Sequence, residues 1–443
     1  MKKLLDKSLT KGAEATDIFY LERKLDKIDF KNSKLDSISA KNTSGFNLRV
    51  VKDKKLGMVS SANFNRNDEV LDMALESSKE GDTLEYEFNR PTELPEIKLT
   101  NDSLWDRPLE EYIAEGEKVI QIIKDYDPKI NVEVKFDRQR ETKKYLNTFG
   151  CDYTNKVDNL HISVGVELVQ EQSMLEIGKS VIVKSHDYDI EKVARELIDK
   201  VKIGRNEVSI TPGKIPVLLT PDAVFMLMFV LNAGLSGEFV RLGISPLKDK
   251  IGEQIFSEKL TIIDDMTLAN GIDSAAFDDE GTPAQRTYLF ENGVLRNYLL
   301  DLKSAHALNL QPNGKAARRF WFKPRDYSQT PGNWFSNCLI EPGNVSLEEM
   351  IADIKEGLVI DNMFGLIMGN LVRGDVDSDI DLAYKIENGK IVGRVKDAAI
   401  GANLYELLKD QVVAVENKQH HALTMTGDML FPHILVKDVN IVV

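Results

Sequence analysis

The chain has 443 residues, 42% of them hydrophobic and 29% charged, a composition able to bury sizeable cores and a length that predicts two or three domains. Its 57 basic and 71 acidic side chains leave a net charge of −14 with no compensating basic stripe, which argues against direct nucleic-acid binding. The longest apolar run, Ala223 to Leu231, is nine residues, short of the about 20 a membrane-spanning helix needs, and two distant cysteines, Cys151 and Cys338, supply neither a disulfide framework nor a zinc-ligand pair.

The N-terminal "MKKLLDKSLTKGAEATD" has the charges of a secretory signal, but only Leu4 and Leu5 stand where its apolar stretch should run. A cytoplasmic protein is expected. Residues 1–86 read as an α+β domain. Ile28 and Phe30, then Phe46, Leu48 and Val50, alternate as half-buried strands do, and "VKDKKLG" turns the chain back. The helix "NDEVLDMALESSKEG" follows, with Asn67 as cap, Leu71, Ala74, Leu75 and Ser78 on one face, and Gly81 as its stop. Residues 87–107 contain two prolines and no periodicity, and read as a linker.

Residues 108–205 form a middle α+β domain. Leu109, Tyr112, Ile113, Gly116, Ile120 and Ile123 fall at helical spacing, Val132, Val134 and Phe136 and then Leu160 to Leu168 alternate as strands, and "DIEKVARELIDKV" closes the segment as a helix.

Residues 212–443 make the third and largest unit, β-rich and mainly antiparallel. It opens on "PDAVFMLMFVLNAGLSGEF", a helix with Pro221 and Asp222 at its start and an apolar body. Asn292-Gly293 and Asn388-Gly389 mark tight hairpins between alternating runs. In "PGNVSLEEMIADIKEG", Ser346 and Glu349 form a capping box and Gly357 a stop. Strands with segregated helices predict an α+β fold.

No phosphate-binding glycine motif and no HExxH occurs. Ser236, in "GLSGE", lacks the closing glycine of a nucleophile elbow, and Ser245 and Lys248 form an SxxK pair without the rest of that signature. His161 falls on the polar face of a strand and should be solvated, while the adjacent His420 and His421 point to opposite sides of theirs, which favours a surface role over joint metal ligation. "GDVDSDID" lacks the glycine and glutamate of a calcium loop and reads as an acidic strand face or turn, where a peptide amine could bind. "FDDEGTP" reads either as a solvated turn or as carboxylates, Asp278, Asp279 and Glu280, lining a cleft.

The ordered motifs "IGEQIFSEKLTIIDD", "FDDEGTPAQRTYLFENGVLRNYLLD", "GNLVRGDVDSD", "YKIENGKI" and "IGANLYELL" resemble the C-terminal domain of the TldD/PmbA family, and "GFNLRVVKDKKLGMVSSANF" and "YLNTFGCDYTN" resemble its first and middle domains. That family comprises cytoplasmic metallopeptidases and their paired subunits, once named modulators of DNA gyrase. Its TldD type carries HExxxH on a helix and a further cysteine ligand near the C-terminus. Counted back without gaps from "GISPLKDKIGE", the motif's positions fall on Met228, Phe229 and Ala233, and "VENKQHHALTMTGDMLFP" contains no cysteine. A thioether, a phenyl ring and a methyl group cannot form a hydrolytic zinc site or its base.

The resemblance therefore implies a TldE/PmbA-type subunit with no metal of its own, paired with a zinc-bearing TldD-type subunit that processes or degrades unfolded peptides. A peptide-binding or regulatory homodimer without peptidase activity is the alternative, and a peptidase built on Ser236, Ser245 and the acidic turns a third. Carried over from the family, Asp279, Glu280 and Gly281, with Gly374 and Asp375, line a substrate groove or shape the subunit contact.

Overall fold

Two long hairpins begin the chain because two pairs of residues accept left-handed backbone angles. The computed structural model describes residues 1–98, 104–170, 173–319, 323–365, 369–422 and 429–443. After α1 (Lys2–Thr10), strands β1 (Ala15–Lys31), β2 (Lys34–Lys52) and β3 (Lys55–Ser61) are joined by turns at Asn32-Ser33 and Asp53-Lys54, where φ is 50° and 60°, then 52° and 60°. Helix α2 (Asn67–Ser78) buries Val70, Leu71, Ala74 and Ser78 against this hairpin layer. Its cap differs from the sequence expectation: Arg66 precedes the helix, Asn67 is its first residue, and no side chain caps it.

Next come α3 (Leu109–Tyr126), β4 (Asn131–Asn147), β5 (Asp152–Gln170), β6 (Ser173–Val183) and α4 (Ile190–Gly204). Strand β4 pairs with β1 from Asp17↔Asn147 to Phe30↔Val134, giving one sheet in the order β3-β2-β1-β4-β5-β6. The segments on either side of the expected linker thus share one sheet. That linker's residues 99–103 lie outside the described residues. Helices α3 and α4 lay Tyr112, Val119, Ile123, Leu197 and Val201 on one face of this sheet, and Asp189 caps α4 by accepting a hydrogen bond from the Lys192 N–H.

The remaining chain runs β7 (Gly213–Leu219), α5 (Pro221–Leu235), α6 (Gly237–Arg241), β8 (Ile262–Asp265), β9 (Arg286–Glu291), β10 (Val294–Leu295) and α7 (Leu302–Ala307). It continues through β11 (Ala316–Ala317), β12 (Gly332–Asn333), β13 (Cys338–Ile340), α8 (Leu347–Ala352), β14 (Glu356–Phe364), β15 (Ser378–Glu387), β16 (Lys390–Val395) and β17 (Ala399–Gly401). It ends with α9 (Leu404–Asp410), β18 (Val412–Val415), β19 (His420–His421), β20 (Met429–Phe431) and β21 (Ile434–Val442).

One sheet is ordered β10-β9-β8-β13-β20-β19. In the other, the path β14-β7-β21-β17-β15 closes on itself because β15 also pairs with β14, so these strands form a ring, with β16 attached to β15 and β18 to β21. Both expected Asn-Gly hairpins are present, with φ of 48° and 77° at Asn292-Gly293 and 47° and 74° at Asn388-Gly389. The fold is mixed α+β. No helix among the described residues is long and apolar enough to cross a membrane.

Candidate functional site

Helix α5 is fixed at its start by Thr220, whose Oγ1 accepts a hydrogen bond from the Ala223 N–H, and by Pro221, whose missing N–H costs nothing in the first turn. Beyond that turn the helix is walled in. Met228, 1% exposed, lies in a core that also holds Val217, Leu231, Phe256 and Phe431, and Phe229 is 4% exposed with its ring edge-on to Trp334 at 5.7 Å. Ala233 is half-buried. Met228 and Phe229 are therefore buried and Ala233 partly so, and the donor set of the three does not fit a hydrolytic metal: imidazole, carboxylate or thiolate is needed, and none is supplied.

The two serines near this helix are structural as placed. Ser236 Oγ donates to Asn333 Oδ1 at 3.1 Å, and the buried Ser245 Oγ donates to the Gly234 carbonyl at 2.6 Å. Both hydrogen-bond to amide oxygens, which cannot take up a proton to generate an alkoxide.

The acidic turn between the Phe277–Pro283 bridge partners is not solvated, contrary to one reading of the sequence. Asp278, Asp279 and Glu280 are 0%, 0% and 1% exposed. Asp278 Oδ1 accepts the N–H groups of Glu280 and Thr282, each at 2.9 Å, and its Oδ2 accepts that of Ala316 at 3.1 Å. Asp279 Oδ2 accepts from the Arg318 N–H and from Arg325 Nε, both at 2.7 Å, while Oδ1 takes Lys143 Nζ at 3.2 Å. Glu280 Oε1 meets Arg49 Nη1 at 2.8 Å and its Oε2 accepts the Leu302 N–H at 2.9 Å. Arg49 reaches Asp17 as well, and Glu141 receives both Arg325 and Arg23 at 2.6 Å.

The cations come from β1, β2, β4 and the loop before β12, so the network rivets the third unit to the N-terminal sheet. A turn so charged can be buried only because each carboxylate meets cations or N–H donors. Gly281 completes it with φ +79°, and a Cβ there would lie 2.4 Å from the Tyr145 ring.

Charge follows from these surroundings. Burial pushes the Asp278 carboxyl up to about 7, with the Glu280 carboxylate adding to the rise. Burial also acts on Asp279, but Arg325 and Lys143 outweigh it and hold that carboxyl well below the usual range. Glu280 is raised, burial prevailing over Arg49, and Lys143 is lowered, burial prevailing over Asp279. Burial, with Arg49 beside it, brings the Arg318 guanidinium down to about 10.

Open space lies beside these carboxylates, lined by other residues. A polar cavity of 110 Å³ is bounded by Arg23, Glu141, Lys143, Asp273, Arg319 and Arg325, with Asp279 behind Lys143 and Arg325. A larger cavity of 390 Å³ lies between the first sheet and the start of α5, with Glu133, Glu167, Glu176, Asp222, Asp361 and Asp381 among its lining residues. Asp379 and Asp381 stand on the exposed face of β15, as the spacing in "GDVDSDID" predicts.

Gly374 and Asp375 sit elsewhere. Gly374 ends a short 3₁₀ turn (Leu371–Arg373) with φ +84°, where a Cβ would meet the Tyr405 ring at 2.7 Å. Asp375, half-buried, bridges to Asn403, and α5 packs against the same turn.

The histidines depart from expectation. His161 is half-buried rather than solvated, and burial lowers its imidazole below the usual value. His420 is drawn to a histidine twelve residues beyond its neighbour His421. His420 Nε2 lies 3.0 Å from Glu416 Oε2, and His433 Nδ1 lies 2.6 Å from the same oxygen. No motif joins these three positions in sequence. The pairing of β18 with β21, a long-range event, brings Glu416 and His433 together.

Two family models match the chain, the PmbA/TldA metallopeptidase C-terminal domain over residues 212–443 and the PmbA/TldA metallopeptidase domain 1 over residues 16–80. An uncharacterized protein of Methanocaldococcus jannaschii is 27% identical over 450 aligned positions, covering 99% of this chain and 98% of its own. The metalloprotease TldD homolog of Haemophilus influenzae is 31% identical over 54% of this chain and 49% of its own length. In fold the chain is similar to the crystal structure of TldE from Thermococcus kodakarensis, with a TM-score of 0.90 at 23% identity and all of both chains covered. A Thermotoga maritima structure described as a candidate modulator of a DNA gyrase gives a TM-score of 0.87 at 24% identity, covering 100% of this chain and 99% of that one.

Proposed function

Because the chain belongs to the PmbA/TldD metallopeptidase family, we propose that it is the TldE/PmbA-type subunit of a peptidase complex, which leaves hydrolysis to a zinc-bearing TldD-type partner. The observation that carries this reading is the burial of Met228 in the core around α5 and of Phe229 against Trp334. A helix that mounts a metal and a base must leave imidazole and carboxylate groups accessible to water. At these positions α5 offers a thioether and a phenyl ring, both shut away from solvent.

In this proposal the chain contributes shape and charge. The buried turn of Asp279, Glu280 and Gly281 fixes the third unit on the N-terminal sheet, so that surfaces from both present a rigid face to the partner and to an extended peptide. The acidic cavity at the start of α5 gives a peptide amine favourable surroundings. Two buried free cysteines suit the reducing cytoplasm.

The test is peptide hydrolysis by the purified chain alone, by a TldD-type protein retaining HExxxH, and by the two together. Activity should require the partner and be lost with the partner's HExxxH glutamate. Turnover by this chain alone, free of other proteins, would end the proposal. A chain that self-associates, binds peptides and never engages a TldD-type protein would be a regulatory homodimer instead.

A further inference from the structure

The cluster of Glu416, His420 and His433 has no part in the proposed subunit role, and none of its members stands on α5. Glu416 directly follows β18 and His433 directly precedes β21. They extend the ladder of those strands beyond Val415↔Ile434: the Glu416 N–H donates to the His433 carbonyl at 3.0 Å, and the His433 N–H donates to Glu416 Oε2 at 3.1 Å. His420 is fixed by a different ladder, opposite Phe431 on β20. Three backbone anchors thus aim two imidazole nitrogens and a carboxylate at one point before anything binds there.

The ligand atoms lie within 4.8 Å of one another. Around a tetrahedral zinc with bonds of about 2.0–2.1 Å, neighbouring ligand atoms stand about 3.3 Å apart. The present separations from Glu416 Oε2, 2.6 Å to His433 Nδ1 and 3.0 Å to His420 Nε2, need only a small outward rotation to admit an ion. The rings stand edge to face, their centroids 5.2 Å apart and their planes at 79°. Burial is graded as a site with an entrance requires: the Glu416, His433 and His420 side chains are 4%, 15% and 42% exposed.

We propose that Glu416, His420 and His433 form a binding site for one divalent transition-metal ion, with zinc the ion that best suits two imidazoles and a carboxylate. The carboxylate offsets part of the ion's charge, and the fourth position opens past His420 to water. The ion's role here is structural. It cross-links the start of β21 to residues before and within β19, closing a loop from Glu416 to His433 and stabilising the folded chain in proportion to its occupancy.

The experiment uses the full-length chain, stripped with a chelator and re-equilibrated with zinc chloride against a chromophoric competitor. Wild type should bind one equivalent and melt at a higher temperature with zinc present. His420→Ala, a change at a part-exposed position that leaves the strand pairing intact, should weaken binding by more than about tenfold and remove the zinc-dependent rise in melting temperature. Glu416→Gln should do the same. Cobalt(II) should give visible absorption with wild type that is absent with His420→Ala.

Failure of wild type to take up zinc, or equal affinity in wild type and the His420→Ala/His433→Ala double variant, would show hydrogen bonding alone and overturn the site. The readout is affinity, so it is independent of whether the chain supports or performs peptide hydrolysis.

Discussion

Arg49 Nη1 and Glu280 Oε1 lie 2.8 Å apart although 231 positions separate them in sequence, and each side chain is 2% exposed. The contact joins β2 to the acidic turn of the third unit, and its energetics are those of a buried pair. Such a pair adds little compared with an apolar replacement of both partners, yet removing one partner strands a charge in a medium that cannot solvate it. Arg49→Ala should therefore lower the unfolding free energy by about 3–5 kcal/mol, because Asp17 and Glu280 both lose their cation. Denaturant unfolding of Arg49→Ala, Glu280→Gln and the double variant checks this, and the double variant should cost clearly less than the sum.

The same turn predicts how stability varies with pH. Asp278 titrates near 7 in the folded chain, up from 3.8, so the native state holds a proton that the unfolded state has released above about pH 4. The stabilisation is complete below that point and is lost as pH rises through 7. Asp279 and Glu141 are lowered despite burial, by Arg325 and Lys143 at the first and Arg325 and Arg23 at the second, and contribute in the opposite sense. Their stabilisation is present above their usual range and disappears as pH falls through their lowered values. Stability should peak on the acid side of neutrality, and Asp278→Asn should flatten the decline between about pH 4 and 7, an effect of up to about 4 kcal/mol. Urea melts at a series of pH values measure it.

Gly281 and Gly252 separate strain from collision. Both have positive φ, +79° and +93°, but a Cβ at Gly281 would lie 2.4 Å from the Tyr145 ring, whereas Gly252 faces open space. Gly252→Ala should cost about 1 kcal/mol from backbone strain alone, and Gly281→Ala more than about 2 kcal/mol. Thermal melts of the two variants make the comparison.

On α5, Met228→Leu conserves volume and should cost less than about 1.5 kcal/mol, whereas Met228→Ala leaves a cavity and should cost about 2–5 kcal/mol. If the residue serves packing alone, Met228→Leu also leaves the activity of a reconstituted TldD-type complex unchanged, and a tenfold fall in turnover at unchanged stability would show otherwise.

Ser236→Ala should leave any peptidase activity of the reconstituted complex at its starting value, since the hydroxyl it removes donates to the Asn333 amide oxygen, which cannot act as a base. A hundredfold loss would restore the serine as a candidate nucleophile.

Features set by near neighbours in sequence were legible without coordinates. Ser346 and Glu349 make both bonds of the capping box, and the Asn-Gly pairs sit at the hairpin tips because each requirement is satisfied within four residues. The periodicity of Tyr112, Gly116, Ile120 and Ile123 marked the buried face of α3 for the same reason. What went unread depends on distant partners. Nothing near Asp279 in sequence announces Lys143 or Arg325, so a solvated turn and a cleft of carboxylates read equally well there, whereas all three carboxylates are buried. The pairing of β1 with β4 carries no local signal across residues 87–107. His433 shares no motif with His420, and the registers of β18 on β21 and of β19 on β20 together bring them to Glu416.

The closed ring of β14, β7, β21, β17 and β15 also sets an order of events. Its earliest strand, β7, is flanked by β14 and β21, and β21 is the last strand of the chain. During synthesis β7 and α5 therefore emerge long before β14 and β20, the later strands that α5 packs against, and the apolar face of α5 remains exposed until they arrive. Contacts so distant in sequence make folding slow. The greasy helix that gains the chain its stable core is, for the length of that interval, a liability to aggregation.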